Sequence, residues 1–103
     1  MRNTKPTAVI TGASSGIGLA LAHTFVDEGF HVAANSRRIT SAGTLTPSQD
    51  LLLVDGDIGE ASTARTLIGV AVERFGTVDV LINNAGIFVP KPFHEYSPED
   101  FER

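Results

Sequence analysis

The sequence predicts an α/β fold, a doubly wound parallel sheet that runs as far as a fourth strand. Three observations carry that expectation: strand and helix patterns alternate, the strand patterns are continuous apolar runs, and glycine punctuates the joints. Parallel strands covered on both faces have no polar side, which is why they read as unbroken runs. The first is TAVIT, residues 7–11, ahead of a glycine-rich stretch. A helix follows over about residues 15–28, with Ile17, Ala20, Leu21, Thr24 and Phe25 at i, i+3, i+4, i+7 and i+8 and Gly29 in the place of a left-handed cap. FHVAAN, residues 30–35, is the second strand. Residues 39–50 are rich in Thr and Ser and carry Gly43 and Pro47, so a short helix at best, or a loop, is expected there. The third strand is LLLV, residues 51–54. Next comes a helix over residues 61–75, with Ala64, Leu67, Ile68, Ala71, Val72 and Phe75 on one face and Gly76 as its stop. VDVLIN, residues 78–83, is the fourth strand. This alternation implies right-handed crossovers, with the first strand inside the sheet and the fourth beside it.

Composition bounds the functional classes. A chain of 103 residues, 42% hydrophobic and without repeats or linkers, fits a single domain. The net charge is −4 and the eight basic residues are scattered apart from Arg37-Arg38, which argues against a nucleic-acid partner. The absence of cysteine rules out disulfides, thiolate metal sites and a cysteine nucleophile, and suits a reducing compartment. MRNTKPTAVITG lacks the apolar stretch of a secretory signal, and no segment approaches the roughly 18 apolar residues of a membrane span. A cytoplasmic protein with no membrane partner is the expectation, and no metal site is assigned.

The stretch between the first strand and first helix is TGASSGIG, with Gly12, Gly16 and Gly18. Glycine permits a sharp exit from the strand and lets a backbone approach a pyrophosphate, while the helix N-terminus offers N–H groups and a positive dipole end to the anion. A tight turn with no ligand is the alternative, and the strand–turn–helix context favours the anion site. TGxxxGxG, taken with NNAG at residues 83–86, resembles the short-chain dehydrogenase/reductase family over essentially the whole chain. The resemblance implies a Rossmann-like fold, with residues 1–103 as the N-terminal part of a single NAD(P)-binding domain. It further implies that Gly12, Ser14, Ser15, Gly16, Ile17 and Gly18 hold the cofactor pyrophosphate and adenosine ribose. Asn84, Ala85 and Gly86 then line the cofactor cleft, and Asp57 and Ile58 contact the adenine. Asp57 has a second reading, a capping carboxylate ahead of Gly59.

The end of the second strand bears on which cofactor binds. A carboxylate there accepts the ribose 2′-hydroxyl and repels a 2′-phosphate. This chain has Ser36 at that position, followed by Arg37 and Arg38, whose guanidinium groups can form charge-assisted bonds to phosphate. NADP(H) is the expected cofactor, with NAD(H) as the alternative; two solvated arginines are the bland reading of the pair.

The resemblance also implies hydride transfer between the nicotinamide and a small-molecule carbonyl or alcohol, by an enzyme that is a homo-oligomer in its full-length form. That chemistry needs a serine, a tyrosine and a lysine four residues after the tyrosine, because a phenol of pKa about 10 is a poor base until a cation lowers it. Tyr96 is the single tyrosine and Asp100 stands four residues on, where a carboxylate raises a phenol's pKa. No catalytic residue is therefore assigned; Tyr96 reads as a loop aromatic and His94 as solvated. HEYSPEDFER starts a helix at Ser97, with Pro98, Glu99 and Asp100 in its first turn, yet a helix needs about 12 to 15 residues to be marginal alone. A sheet ending at the fourth strand would also bare an apolar edge. The expectation is the cofactor-binding front part of a longer oxidoreductase; a non-catalytic remnant that binds nucleotide or protein is the alternative. The 103-residue chain on its own is expected to give no protein-dependent NADPH consumption across a panel of ketones, and measurable turnover would overturn this reading.

Overall fold

The structure, a computed structural model, describes residues 5–84. Ala85, Gly86, His94, Tyr96 and the helix expected from Ser97 lie outside the described residues. In chain order the elements are β1 (Thr7–Thr11), α1 (Gly16–Asp27), β2 (His31–Ser36), α2 (Ile39–Ala42), β3 (Leu51–Asp55), α3 (Ala61–Phe75) and β4 (Val80–Ile82). The strands form one four-stranded sheet in the order β3-β2-β1-β4, and every pair is parallel. β1 therefore lies inside the sheet with β4 beside it, as its uninterrupted apolar run requires: all five of its residues are buried.

Alternation along the strands divides the interior between two faces. Ala8 and Ile10 of β1 join Val32 and Ala34 of β2 beneath α1, with Ala22 and Ile39 completing that side. Val9 and Ala33 point the other way, onto Leu67 and Ala71 of α3, with Leu52, Val54 and Ile68 packed around them. Alanine at three of these sheet positions, Ala8, Ala33 and Ala34, keeps both helical layers close to the strands.

Two elements differ from the sequence reading, α1 in its buried face and β4 in its length, each through a contact between distant residues. The buried stripe of α1 is carried by Gly18 and Ala22, with Leu21, Phe25 and Val26 packed beside them, whereas Ile17 is 70% exposed and Ala20 and Thr24 face outward. The buried face keeps Leu21 and Phe25 of the expected stripe but turns Ile17, Ala20 and Thr24 outward, because Gly18 is the residue pressed against the sheet end. Residues 39–50 hold a short helix as expected, the four-residue α2, stopped by Gly43 at φ 75. β4 has three residues where six were expected. At its start the Asp79 carboxylate accepts the Thr7 N–H at 2.9 Å, and the Asp79 N–H donates to the Thr7 carbonyl, also at 2.9 Å. A side chain thus takes the place of a ladder bond there. At its end Asn83 turns to meet the Thr11 hydroxyl at 3.0 Å.

At the opposite end of the sheet, Lys5 Nζ lies 3.0 Å from one Asp50 oxygen and His31 Nδ1 lies 3.0 Å from the other. The His31 ring stacks on Phe75 at 4.4 Å, and Arg74 donates to the Ser48 carbonyl at 2.9 Å. The hydrogen bond from Lys5 holds the Asp50 carboxyl below the usual carboxylate range. Together these contacts bind the start of the chain, the β2–β3 connection and the C-terminal end of α3.

Leu67 is 1% exposed and is the larger of the two buried side chains that α3 sets against Val9 and Ala33. Leu67→Ala is expected to destabilise the chain by about 2–5 kcal/mol in urea unfolding, while Val72→Ala, on the exposed side of α3, changes it by less than about 1 kcal/mol.

Candidate functional site

Connections run outward from β1 to β2 and β3, then cross back to β4 on the other side of β1. The C-terminal ends of β1 and β4 therefore flank a switch point, where open α/β sheets bind their ligands. The glycine-rich turn leaves β1 at that place. Gly12 has φ 63 and Gly16 φ 60, both in the left-handed region, so glycine is needed at each for conformation alone. The turn is held at its middle: Ala13 N–H donates to the Asn35 carbonyl at 3.0 Å, and the Ser14 carbonyl accepts the Thr44 hydroxyl at 2.9 Å.

Gly18 has a different reason to be glycine. A Cβ at that position would fall on the Gly12 carbonyl and lie 2.8 Å from Asn84 Nδ2. The space is filled by the approach of two backbones and one amide, and Asn84 Nδ2 donates to the Gly12 oxygen at 3.4 Å. The Asn84 N–H donates to the Thr11 hydroxyl at 2.9 Å, so Thr11, the first residue of TGASSGIG, is bonded to both asparagines that open NNAG. Ser15 caps α1 with no side-chain hydrogen bond, its first turn holds no acidic residue, and Ser15, Gly16 and Ile17 are exposed. The N–H groups and positive dipole end of α1 are open to an anion.

At the ends of β2 and β3 the remaining site residues gather. Ser36 is half-buried and its carbonyl accepts the Gly56 N–H at 3.0 Å. Arg37 and Arg38 are exposed, and among the described residues neither guanidinium has a hydrogen-bond or ion-pair partner. The carboxylate nearest in the chain order of the sheet, Asp55, is taken by Thr40: it accepts the Thr40 N–H at 2.9 Å and the Thr40 hydroxyl at 2.5 Å. Those bonds, the hydroxyl first, hold the Asp55 carboxyl below the usual range and tie α2 to the end of β3. Asp57 accepts the Gly59 N–H at 2.8 Å in the turn ahead of α3; the N-cap of that helix is Glu60, so the carboxylate fastens the turn and does not cap the helix. Ile58 packs on the α3 side of the sheet. An apolar groove lined by Thr11, Ile58, Ala64, Leu67, Leu81 and Asn83 runs beside it, between α3 and β4. Two participants escaped the sequence reading, Asn35 and Asp55. The signal for each was a polar residue at the end of an apolar strand.

A parallel sheet in this order, with a glycine-rich first turn and a helix N-terminus at the switch point, is a Rossmann-like α/β fold of the dinucleotide-binding kind. The short chain dehydrogenase family model matches residues 6–103, and the chain belongs to that family. Galactitol 2-dehydrogenase of Agrobacterium fabrum is 34% identical over 107 residues, covering 100% of this chain and 41% of that protein. D-beta-hydroxybutyrate dehydrogenase of Rhizobium meliloti is 32% identical over 103 residues, covering 94% of this chain and 40% of its own length. Among solved structures, the 3-ketoacyl-(acyl-carrier-protein) reductase of Brucella melitensis complexed with NADH superposes with a TM-score of 0.74. It has 32% identity and covers 96% of this chain and 42% of that one. YwfH, an NADPH dependent reductase involved in bacilysin biosynthesis, superposes with a TM-score of 0.70 at 33% identity over 94% of this chain and 44% of that one. The chain spans 33% to 41% of the length of the first curated relatives it matches. Among the described residues no helix is long and apolar enough to cross a membrane.

Gly18→Ala is expected to force Gly12 and Asn84 apart and destabilise the chain by about 1–3 kcal/mol, as overpacking against backbone does. Gly69→Ala, in α3 with open space around it, is expected to be neutral or stabilising. Paired thermal melts, with the Asn84 side-chain amide followed by NMR, check both.

Proposed function

We propose that this chain is the cofactor-binding part of an NADP(H)-dependent oxidoreductase that moves hydride between the nicotinamide and a small carbonyl or alcohol. The observation that carries it is the uncapped N-terminus of α1, behind a turn whose Gly18 is pressed onto Gly12 and Asn84 at the β1–β4 switch point. The group fits these residues: exposed N–H donors at Ser15, Gly16 and Ile17 suit a pyrophosphate, with Gly12, Ser14 and Gly18 shaping the approach. Asp57 and Ile58 lie past the end of β3, where an adenine would rest, and Asn84, with Ala85 and Gly86 after it, would border the cofactor cleft.

Preference for the phosphorylated cofactor rests on Ser36, Arg37 and Arg38. Two guanidinium groups without partners among the described residues, beside a serine where a carboxylate would repel, suit a 2′-phosphate. NAD(H) is the second reading, favoured by the similar reductase complexed with NADH. When bound, the nicotinamide supplies the hydride. The part of the described residues is to grip the adenosine and phosphate end and to orient it; none is given a role in proton transfer. A cytoplasmic, homo-oligomeric full-length form, with no nucleic-acid or membrane partner, completes the proposal.

Titration of the chain with NADPH and with NADH tests the nucleotide reading. NADPH is expected to bind at least about tenfold more tightly, with a preference that weakens as salt rises. Arg37→Asp should erase or reverse the preference while leaving NADH affinity within about threefold. Equal affinity of the unmutated chain for both cofactors would reduce the arginines to surface charge, and no affinity for either would sink the nucleotide reading.

A further inference from the structure

Asn35 is the one amide in a strand whose interior is Val32, Ala33 and Ala34, and it is 0% exposed. Its Nδ2 donates both hydrogens, to the Val54 carbonyl at 2.9 Å and to the Gly56 carbonyl at 3.2 Å. Both partners are acceptors, which fixes the orientation of the amide. The other side-chain atom, Oδ1, is buried with no hydrogen-bond partner among the described residues. A buried acceptor left unmade detracts from stability, so the amide is not explained by packing alone. What it provides and an apolar side chain cannot is a pair of bonds to the Val54 and Gly56 carbonyls, on either side of Asp55, just before the chain turns toward Asp57.

Three segments converge on this residue. Through its main-chain carbonyl it takes the Ala13 N–H at 3.0 Å and so holds the glycine-rich turn. Through Nδ2 it holds Gly56, whose φ of 145 belongs to glycine alone and where a Cβ would come within 2.7 Å of Thr63 on α3. The next residue, Ser36, receives the Gly56 N–H, so the peptide groups on both sides of Gly56 are bonded to β2. Past that doubly fastened glycine come Asp57 and Ile58, and past Ser36 come Arg37 and Arg38.

We propose that Asn35 is the positioning residue for the adenosine end of the nucleotide: acting through Gly56, it sets the backbone that presents Asp57 and Ile58, without touching the ligand. The proposal rests on the nucleotide-binding reading above. A purely structural role would require only that the chain stay folded; a positioning role requires that the Gly56–Asp57 backbone and nucleotide affinity change together in a folded chain.

The test uses Asn35→Asp, which keeps the shape but replaces two donors by acceptors, and Asn35→Thr, which restores one donor on a β-branched side chain suited to a strand. Amide exchange and chemical shifts of Gly56, Asp57 and Ile58 are read without ligand, and adenosine 2′,5′-bisphosphate is titrated into each variant. In Asn35→Asp the three amides are expected to exchange faster than those of β1, with affinity down by about tenfold or more; Asn35→Thr recovers part of both. Where Asn35→Asp does not fold, Asn35→Thr against the unmutated chain carries the comparison, with a smaller loss of the same kind expected. Unchanged Gly56, Asp57 and Ile58 amides, or unchanged affinity in a folded variant, would overturn the proposal while leaving nucleotide binding intact. Failure of the unmutated chain to bind the bisphosphate would overturn both, and that outcome is distinct because it needs no variant.

Discussion

The closeness of Gly18 to the Gly12 carbonyl is the constraint on which the rest of the arrangement depends. Helix α1 can reach the end of β1 only because no side chain stands between them, and that contact selects which residues of the helix face the sheet. Once Gly18 is inward, Ala22 follows one turn later, Leu21, Phe25 and Val26 pack beside it, and Ile17 is turned outward at the mouth of the crevice. The same contact aims the first turn of the helix at the space over β1 and β4 and gives Asn84 an oxygen to bond. Packing and the direction of the helix dipole are settled by one missing methyl group.

A second regularity lies in how the strands end. Thr11, Asn35 and Asp55 each use a side chain to satisfy backbone or hydroxyl groups where the ladder stops. These bonds make the rim of the sheet rigid where loops begin, so the loops leave in fixed directions. They also arrange charge. Asp55 accepts two bonds from Thr40 and Asp57 accepts one from Gly59, all from uncharged donors. The guanidinium groups of Arg37 and Arg38 are consequently left without an internal counter-ion among the described residues, in a chain whose net charge is −4.

The sequence was legible where information is local. Continuous apolar runs located all four strands, and 3.6-residue periodicity located α3 with its Ala64, Leu67, Ile68, Ala71 and Phe75 face. Glycines at 12, 16 and 18 marked the turn. What remained hidden depends on partners far along the chain. The face of α1 is decided by Asn84 and Gly12, the shortness of β4 by Asp79 folding back on Thr7, and the part played by Asn35 by Gly56. Periodicity cannot register any of these, because each is a bond between residues that share no helix turn or strand pleat.

The pairing of β1 with β4 also sets a timetable. Thr11 and Asn84, which join the two halves of the crevice, are 73 residues apart in sequence, while the β1–β2 ladder closes a far shorter loop. During synthesis from the N-terminus the glycine turn is made long before the asparagine that braces it. Closure of the longest loop carries the greatest entropic penalty and comes late. Among the described residues the crevice is therefore the last feature to be completed, and a nascent chain that has already formed its first ladder still lacks the asparagine that braces it.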